Sequence, residues 1–207
     1  CTLPSDTLSV LHAAGAVPDP YYAANELLVQ WVGEENWIFS TEFELDEDFM
    51  NYSQQFIELK RIDTFSEVYL NNEKIGSTDN MFLRYRFDIG HIARVGRNQL
   101  ELRFSSPVQT ALALKRQLPY PVPHQDYPVQ AQGRNLIRKA QCHAGWDWGP
   151  CLMVSGIYEP VFLCASPLER IEAVHHDAVC VDTEKNRWIL KVTTELYSRE
   201  AGTSRLR

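Results

Sequence analysis

Through the middle of this chain, apolar and polar residues alternate with a period of two. Trp37, Phe39, Thr41, Phe43 and Leu45 alternate with Ile38, Ser40, Glu42 and Glu44, the pattern of a strand with one face turned inward. Ile57 and Leu59 alternate with Glu58 and Lys60, and Leu100, Leu102 and Phe104 with Gln99, Glu101 and Arg103. Val68 and Leu70 precede Asn71-Asn72, a pair that tolerates the positive φ of a tight hairpin. Gly96-Arg97-Asn98 reads as a second turn. Short strands between polar turns, with few helical stretches, predict an all-β antiparallel sandwich or barrel.

Two segments depart from that period. Ser5-Asp6-Thr7 offers an N-cap, Leu8 and Leu11 share a helical face, and Gly15 sits where a helix would end. Val17-Pro18-Asp19-Pro20 then stops any helix, because each Pro forces the residue before it into an extended conformation. Val108 to Leu118 reads as a second helix running into a Pro-rich loop, Pro119 to Pro128, which fits neither helix nor ladder. Around Ala165-Ser166-Pro167 the pattern resets. Ala173–Val181 and Trp188–Leu196 read as two strands joined by the polar turn 182–187. An isolated hairpin is marginal in water, so residues 1–165 read as one domain and 166–207 as the opening strands of a second.

Composition narrows the class. The 207 residues are 44% apolar and 23% charged, which excludes disorder. The net charge of −7 argues against nucleic acid as a partner, since its binders need a basic face. No apolar run is long enough to span a bilayer. Five Cys, an odd number widely spaced, read as reduced thiols and point to a cytoplasmic setting. The chain lacks an initiating Met and stops just after a strand-like run, so both ends read as cut.

The densest candidate chemistry is Gly145-Trp146-Asp147-Trp148-Gly149-Pro150. An ionised Asp accepts hydrogen bonds from neighbouring hydroxyls, and an indole face covers the apolar side of a sugar ring. Equally, both Trp can be core anchors, with Asp147 satisfying buried backbone amides. Composition alone favours that structural role. Cys142-His143, Cys151 and His175-His176-Asp177 lack the paired spacing of a zinc site, and neither a metal nor a cofactor is expected. Asn51-Tyr52-Ser53 is a formal glycosylation sequon, meaningful only in a secreted protein. Many Glu residues are available for a glycosidase pair, but no spacing selects one.

Several separated stretches resemble the N-terminal region of the β-mannosidases of glycoside hydrolase family 2. They are Leu3-Pro4-Ser5-Asp6, Val17-Pro18-Asp19-Pro20-Tyr21-Tyr22, Asn25-Glu26, Trp31 to Trp37, Asp63-Thr64, Val68 to Asn71, and Gly76 with Thr78 to Phe82. Tyr120 to His124, Ile137 to Cys142, Trp146 to Pro150 and Ser155 to Tyr158 complete the set. Ser5 and Asn72 stand where the family more often has Gly.

The resemblance implies a jelly-roll domain like the galactose-binding domains, followed by an immunoglobulin-like sandwich and a (β/α)₈ barrel. Two Glu on that barrel would carry a retaining hydrolysis releasing terminal β-linked mannose from an oligosaccharide or mannoside. It also implies that Asp147, with Trp146 beside it, reaches into the barrel's pocket to hold that mannose. A barrel needs about 250 residues, more than this chain, so the 207 residues alone are expected to hydrolyse nothing. Rival readings are a free-standing carbohydrate-binding module and a purely structural cap on a related galactosidase or glucuronidase.

Overall fold

Short helices interleave with strands at the start, and strands dominate thereafter, in a computed structural model that describes residues 1–123, 132–146 and 149–198. Strand β1 (Ser5–Asp6) leads into helix α1 (Thr7–Ala13), then the short helix α2 (Asn25–Leu28) and a 3₁₀ turn over Gln30–Gly33. Strand β2 (Trp37–Leu45) is followed by the one-turn helix α3 (Glu47–Met50) and by β3 (Gln54–Lys60) and β4 (Ile62–Asp63). Strands β5 (Ser66–Leu70), β6 (Glu73–Thr78), β7 (Arg84–Asp88) and β8 (Gly96–Phe104) come next. Helix α4 (Pro107–Gln117) separates them from β9 (Ala144–Trp146), β10 (Gly149–Cys151), β11 (Gly156–Ile157) and β12 (Phe162–Ser166). Two long strands follow, β13 (Arg170–Asp182) and β14 (Arg187–Tyr197).

The alternation read from the sequence builds an antiparallel sandwich. One sheet has the order β2-β8-β5-β6, the other β12-β3-β7, and a small third sheet, β1-β11-β4, joins them at one end. Ile57 and Leu59 of β3 meet Val68 and Leu70 of β5 and Leu100, Leu102 and Phe104 of β8 in one buried cluster, closed by Ile62 and Ile157. Strand β2 lies along β8 in continuous register from Trp37↔Phe104 to Leu45↔Gly96. Asn71 and Asn72 take positive φ of 50° and 69° at the β5–β6 turn, as their side chains allow.

Two local readings are revised. Gly96-Arg97-Asn98 is not a turn but the start of β8, opposite Leu45, Glu44 and Phe43. Asn98 is buried, and its amide donates to the Arg94 and Gly96 carbonyls at 2.7 and 2.9 Å, fastening the reversal that precedes it. Strand β3 is not half-exposed, for Gln54 to Leu59 are all buried. It is the middle strand of its sheet, and Arg86 lies over Glu58, donating at 2.6 Å.

The helices follow their caps. Asp6 Oδ1 accepts from the Ser9 amide at 2.9 Å, and Gly15 follows α1 with a φ of +70°. Ser106 Oγ accepts from the Gln109 amide at the head of α4, and Pro107 occupies its first turn. Helix α4 packs Ala111 against Ile137, Ala144, Cys151 and Met153, a second core cluster. Of the Pro-rich stretch, residues 124–131 lie outside the described chain.

The β13–β14 hairpin extends beyond the two strands expected from the sequence. Val174, Val181, Trp188, Ile189 and Val192 all stand exposed on it. It is tied to the sandwich by Glu172, which pairs with Arg84 at 2.7 Å and with Arg86, and by Gln54 Nε2 donating to the Leu168 carbonyl at 3.1 Å. Among the described residues no helix is long and apolar enough to cross a membrane.

Candidate functional site

Strands β9 and β10 form a small antiparallel hairpin, with Trp146 opposite Gly149 and Ala144 opposite Cys151. Trp146 is the last residue of β9, while Asp147 and Trp148 lie outside the described residues. Gly145 has a φ of +84°, a backbone that a residue with a Cβ adopts only under strain. Past the hairpin, the Leu152 amide donates to the His143 carbonyl at 2.8 Å, and Arg134 Nη1 donates to the Ala144 carbonyl at 2.8 Å.

One flank of the hairpin is clamped by the N-terminal segment. The Cys151 amide donates to Glu26 Oε1 at 2.6 Å, and Gln30 Nε2 donates to the Cys151 carbonyl at 2.8 Å. Two residues past Cys151, the chain lies so close to Gly33 that a Cβ added there would sit 2.3 Å from the Met153 carbonyl oxygen. Ser106 Oγ in turn donates to the Gly33 carbonyl at 2.8 Å. Burial, reinforced by Glu26, pushes the Cys151 thiol up to about 11 although Arg134 draws it the other way. That thiol is packing, not a nucleophile.

The other flank rests on a buried polar group. Asp63, at the end of β4 and fully buried, accepts from Lys139 Nζ and from Thr64 Oγ1. Lys139, 3% exposed, also donates to the Val154 carbonyl at 2.6 Å. His143 Nδ1 lies 3.2 Å from Asp63 Oδ2 but off the line of a hydrogen bond, so that nitrogen is buried without one. The His143 and Tyr158 rings sit 5.8 Å apart. Burial pushes the Asp63 carboxyl up, yet the Lys139 ammonium and the Thr64 hydroxyl help to hold the group below the usual carboxylate range. Burial likewise draws the Lys139 ammonium down, against the pull of Asp63, and drives the Tyr158 hydroxyl upward.

Beside the hairpin opens a cleft of about 520 Å³, walled by Asp6, Ser9, Tyr21, His143 and Tyr158 and by Gly149-Pro150 of β10. Two carboxylates on its wall are already engaged: Asp6 accepts from Ser9, and Asp19 accepts from the Tyr21 amide at 2.9 Å. Hydroxyl, imidazole and aromatic groups share this wall with Leu8, Pro20, Leu152 and Val154, a mixture suited to an uncharged molecule with one polar and one apolar face. Among the described residues no three His, Cys, Asp or Glu side chains converge as metal ligands. His143 faces Asp63, and Cys151 is buried in the second core cluster.

Comparison with known proteins places this arrangement. Residues 1–159 match the glycosyl hydrolase 2 galactose-binding domain-like family, and the chain belongs to that family. It is 40% identical over 164 residues to a β-mannosidase of Mus musculus, covering 77% of this chain and 18% of the relative. It is 34% identical over 186 residues to β-mannosidase B of Thermothelomyces thermophilus, covering 86% of this chain and 20% of that protein. The crystal structure of a β-D-mannosidase from Dictyoglomus thermophilum superposes with a TM-score of 0.90 at 35% identity, over 97% of this chain and 24% of that one. An exo-chitosanase of Amycolatopsis orientalis, at 15% identity and a TM-score of 0.64 over 97% of this chain and 21% of its own, shares the fold alone. The chain thus spans about a fifth of the length of the curated relatives it matches.

Glu26, Gln30, Asp63 and Lys139 were not singled out as site residues by sequence reasoning. Three of them lie in the stretches that carry the family resemblance: Asn25-Glu26, Asp63-Thr64 and Ile137 to Cys142. A Lys set between Ile137 and Ala140 was the available signal, since a Lys is almost never fully buried unless paired.

Proposed function

We propose that this chain is the N-terminal, non-catalytic part of a retaining β-mannosidase and helps to hold the terminal β-linked mannose of an oligosaccharide or mannoside. Asp147 would accept hydrogen bonds from the sugar, with Trp146 beside it. Hydrolysis would be carried by two Glu of a (β/α)₈ barrel elsewhere in the same polypeptide, and the present chain alone would be inactive. One observation carries this reading: Ser5-Asp6, Asn25-Glu26, Asp63-Thr64, Asn80-Met81 and Ile137–Cys142, far apart in sequence, converge on the small sheet and hairpin that bear Trp146 and Gly149. The neighbouring Tyr21, Tyr22, Leu27, Leu28 and Trp31 are exposed, an apolar surface suited to cover by the rest of such a polypeptide.

Residues 1–165 are read as the sugar-facing domain and 166–207 as the start of an immunoglobulin-like sandwich, whose remaining strands would cover the apolar faces of β13–β14. The free thiols of Cys1, Cys142, Cys151 and Cys164 fit a reducing, cytoplasmic setting.

Asp147→Asn in the full-length enzyme tests the assignment. Hydrogen bonds to a charged group are worth about 1.5–3 kcal/mol, so kcat/KM on an aryl β-mannoside should fall roughly ten- to a hundredfold at unchanged Tm. An unchanged kcat/KM with a lowered Tm would instead make Asp147 a backbone anchor. Tight mannose binding by the 207-residue chain alone would favour a free-standing binding module.

A further inference from the structure

Asp63 lies beneath the segment that enters the β9–β10 hairpin, and Lys139 ties that point to the segment that leaves it. Lys139 stands at the entry to the excursion that contains the hairpin, and Val154 at its exit. The Lys139 ammonium grips Asp63 of β4 and the Val154 carbonyl together. Strand β4 is itself laced to β11 through Asp63↔Gly156 and Ile62↔Ile157, so this grip is fastened to the sheet that closes the sandwich. Four residues after Lys139, His143 lies against the same Asp63 oxygen, and its carbonyl receives the Leu152 amide that closes the hairpin's base.

A second set of contacts brings Lys139 to that spot. Asn80 and Arg138 form a parallel bridge, the Met81 amide donates to the Arg138 carbonyl at 3.0 Å, and the Ala140 amide lies 2.9 Å from Met81 Sδ. The residues either side of Lys139 are therefore fixed by the β6–β7 connection before its side chain reaches inward.

A buried ion pair is weak evidence of a stability role, because apolar residues of the same volume commonly serve as well. What it supplies is direction. A buried ammonium held by two oxygen acceptors is restricted to a narrow range of orientations, and the backbone it grips inherits that restriction.

We infer that Lys139, held on Asp63, is a positioning residue that fixes where the β9–β10 hairpin stands relative to the sandwich. The inference builds on the proposed sugar-holding role of this hairpin, since a misplacement of about 1 Å can cost a hundredfold in rate.

The test uses the double variant Asp63→Asn/Lys139→Met, which removes both charges together and leaves no unpaired one buried. Leu102→Ala, in the sandwich core, serves as a general destabiliser of comparable Tm. Backbone hydrogen exchange is read in the 207-residue chain at Trp146, Cys151 and Leu152 and, for reference, at Leu100 and Leu102. The double variant should speed exchange at the hairpin amides at least tenfold relative to the β8 amides. Leu102→Ala should move both sets together. Equal shifts at both sets in the double variant, or no shift at the hairpin, would overturn the positioning role.

The same double variant in the full-length enzyme separates this inference from the function it builds on. A loosened hairpin with kcat/KM down at least tenfold supports both. A loosened hairpin with unchanged kcat/KM upholds the positioning role and overturns the sugar contact. A hairpin of unchanged exchange overturns the positioning role whatever the kinetics show.

Discussion

Glu26 and Cys151 meet across 125 positions of chain, the Cys151 amide donating to Glu26 Oε1 at 2.6 Å. Gln30 completes the clamp from one turn further on, taking the Cys151 carbonyl. A four-residue helix is too short to be stable by itself. What holds α2 and the turn after it is that Glu26 and Gln30 satisfy the edge of β10 that pairs with no other strand among the described residues.

Glu26→Ala leaves the Cys151 amide without its acceptor, at a cost of about 1–3 kcal/mol. For a chain of this size that lowers Tm by roughly 2–4 °C per kcal/mol. Glu26→Gln keeps an acceptor oxygen and should stay near the wild-type midpoint. It should also lower the pKa of the Cys151 thiol, because Glu26 is one of the groups raising it. Thermal melts of both variants, with a thiol titration of the second, check the pair. Equal melting points for the two would contradict the clamp.

Thiol labelling should follow the same geometry. Cys1 and Cys142 are exposed and Cys151 is buried. A thiol near 11 rather than its usual value near 9 holds about a hundredfold less thiolate at neutral pH. Iodoacetamide followed by peptide mass spectrometry should find Cys142 alkylated in the folded protein and Cys151 alkylated only on unfolding. Equal rates would show the second core cluster to be open.

Gly33 and Gly15 make a contrasting pair. Gly33→Ala drives a Cβ toward the Met153 oxygen, and overpacking of this kind costs about 1–3 kcal/mol. Gly15→Ala meets no atom within 4 Å but must hold a φ of +70°, worth about 1–2 kcal/mol. Only the first should also speed hydrogen exchange at Cys151 and Leu152. Urea denaturation together with exchange distinguishes steric from conformational cost.

Acid stability follows from Asp63 and Glu58. Both carboxyls are held below their ordinary values. For Glu58, burial raises the pKa, but Arg86 and Lys60 more than offset it. A depressed carboxylate contributes stability that is present above its unfolded pKa, about 3.9 for Asp and 4.3 for Glu, and is lost as pH falls through the folded value. Stability should therefore be flat near neutrality and fall below about pH 4.5, by about 1.4 kcal/mol per pH unit for each proton taken up. Asp63→Asn/Lys139→Met should show a shallower fall by up to one proton, read from urea midpoints between pH 3 and 6. An unchanged slope would mean that Asp63 is not ionised in the folded chain.

The sandwich was legible because β2, β5 and β8 turn one face to a common core, so burial imposes a period of two on their sequence. Strand β3 showed its period only in part, since Arg86 and Lys60 cover the face that its Glu58 marked as wet. Strand β7, Arg84-Tyr85-Arg86-Phe87-Asp88, carried a pattern that went unread. Its aromatics pack on the core while its Arg residues pair with Glu58 and Glu172. Of the candidate site, the hairpin motif was visible as a local run. Its supports were not, because Asp63 and Lys139 lie 76 positions apart, and no periodicity links residues that meet only through tertiary structure. Asp147 itself lies outside the described residues.

Arg86 divides its guanidinium between Glu58 inside the sandwich and Glu172 on the β13–β14 hairpin. Arg170, beside Glu172, reaches Gln54 and stacks over Phe56. The place where the sequence pattern resets is thus electrically continuous across the divide. A chain cut after Ser166 would strip one carboxylate from a cation that neutralises a buried acid, and would remove one of the two guanidinium groups that lie over Phe56. A piece ending at Ser166 should therefore melt lower than one that keeps Arg170 and Glu172, a difference that thermal melts of the two lengths would read.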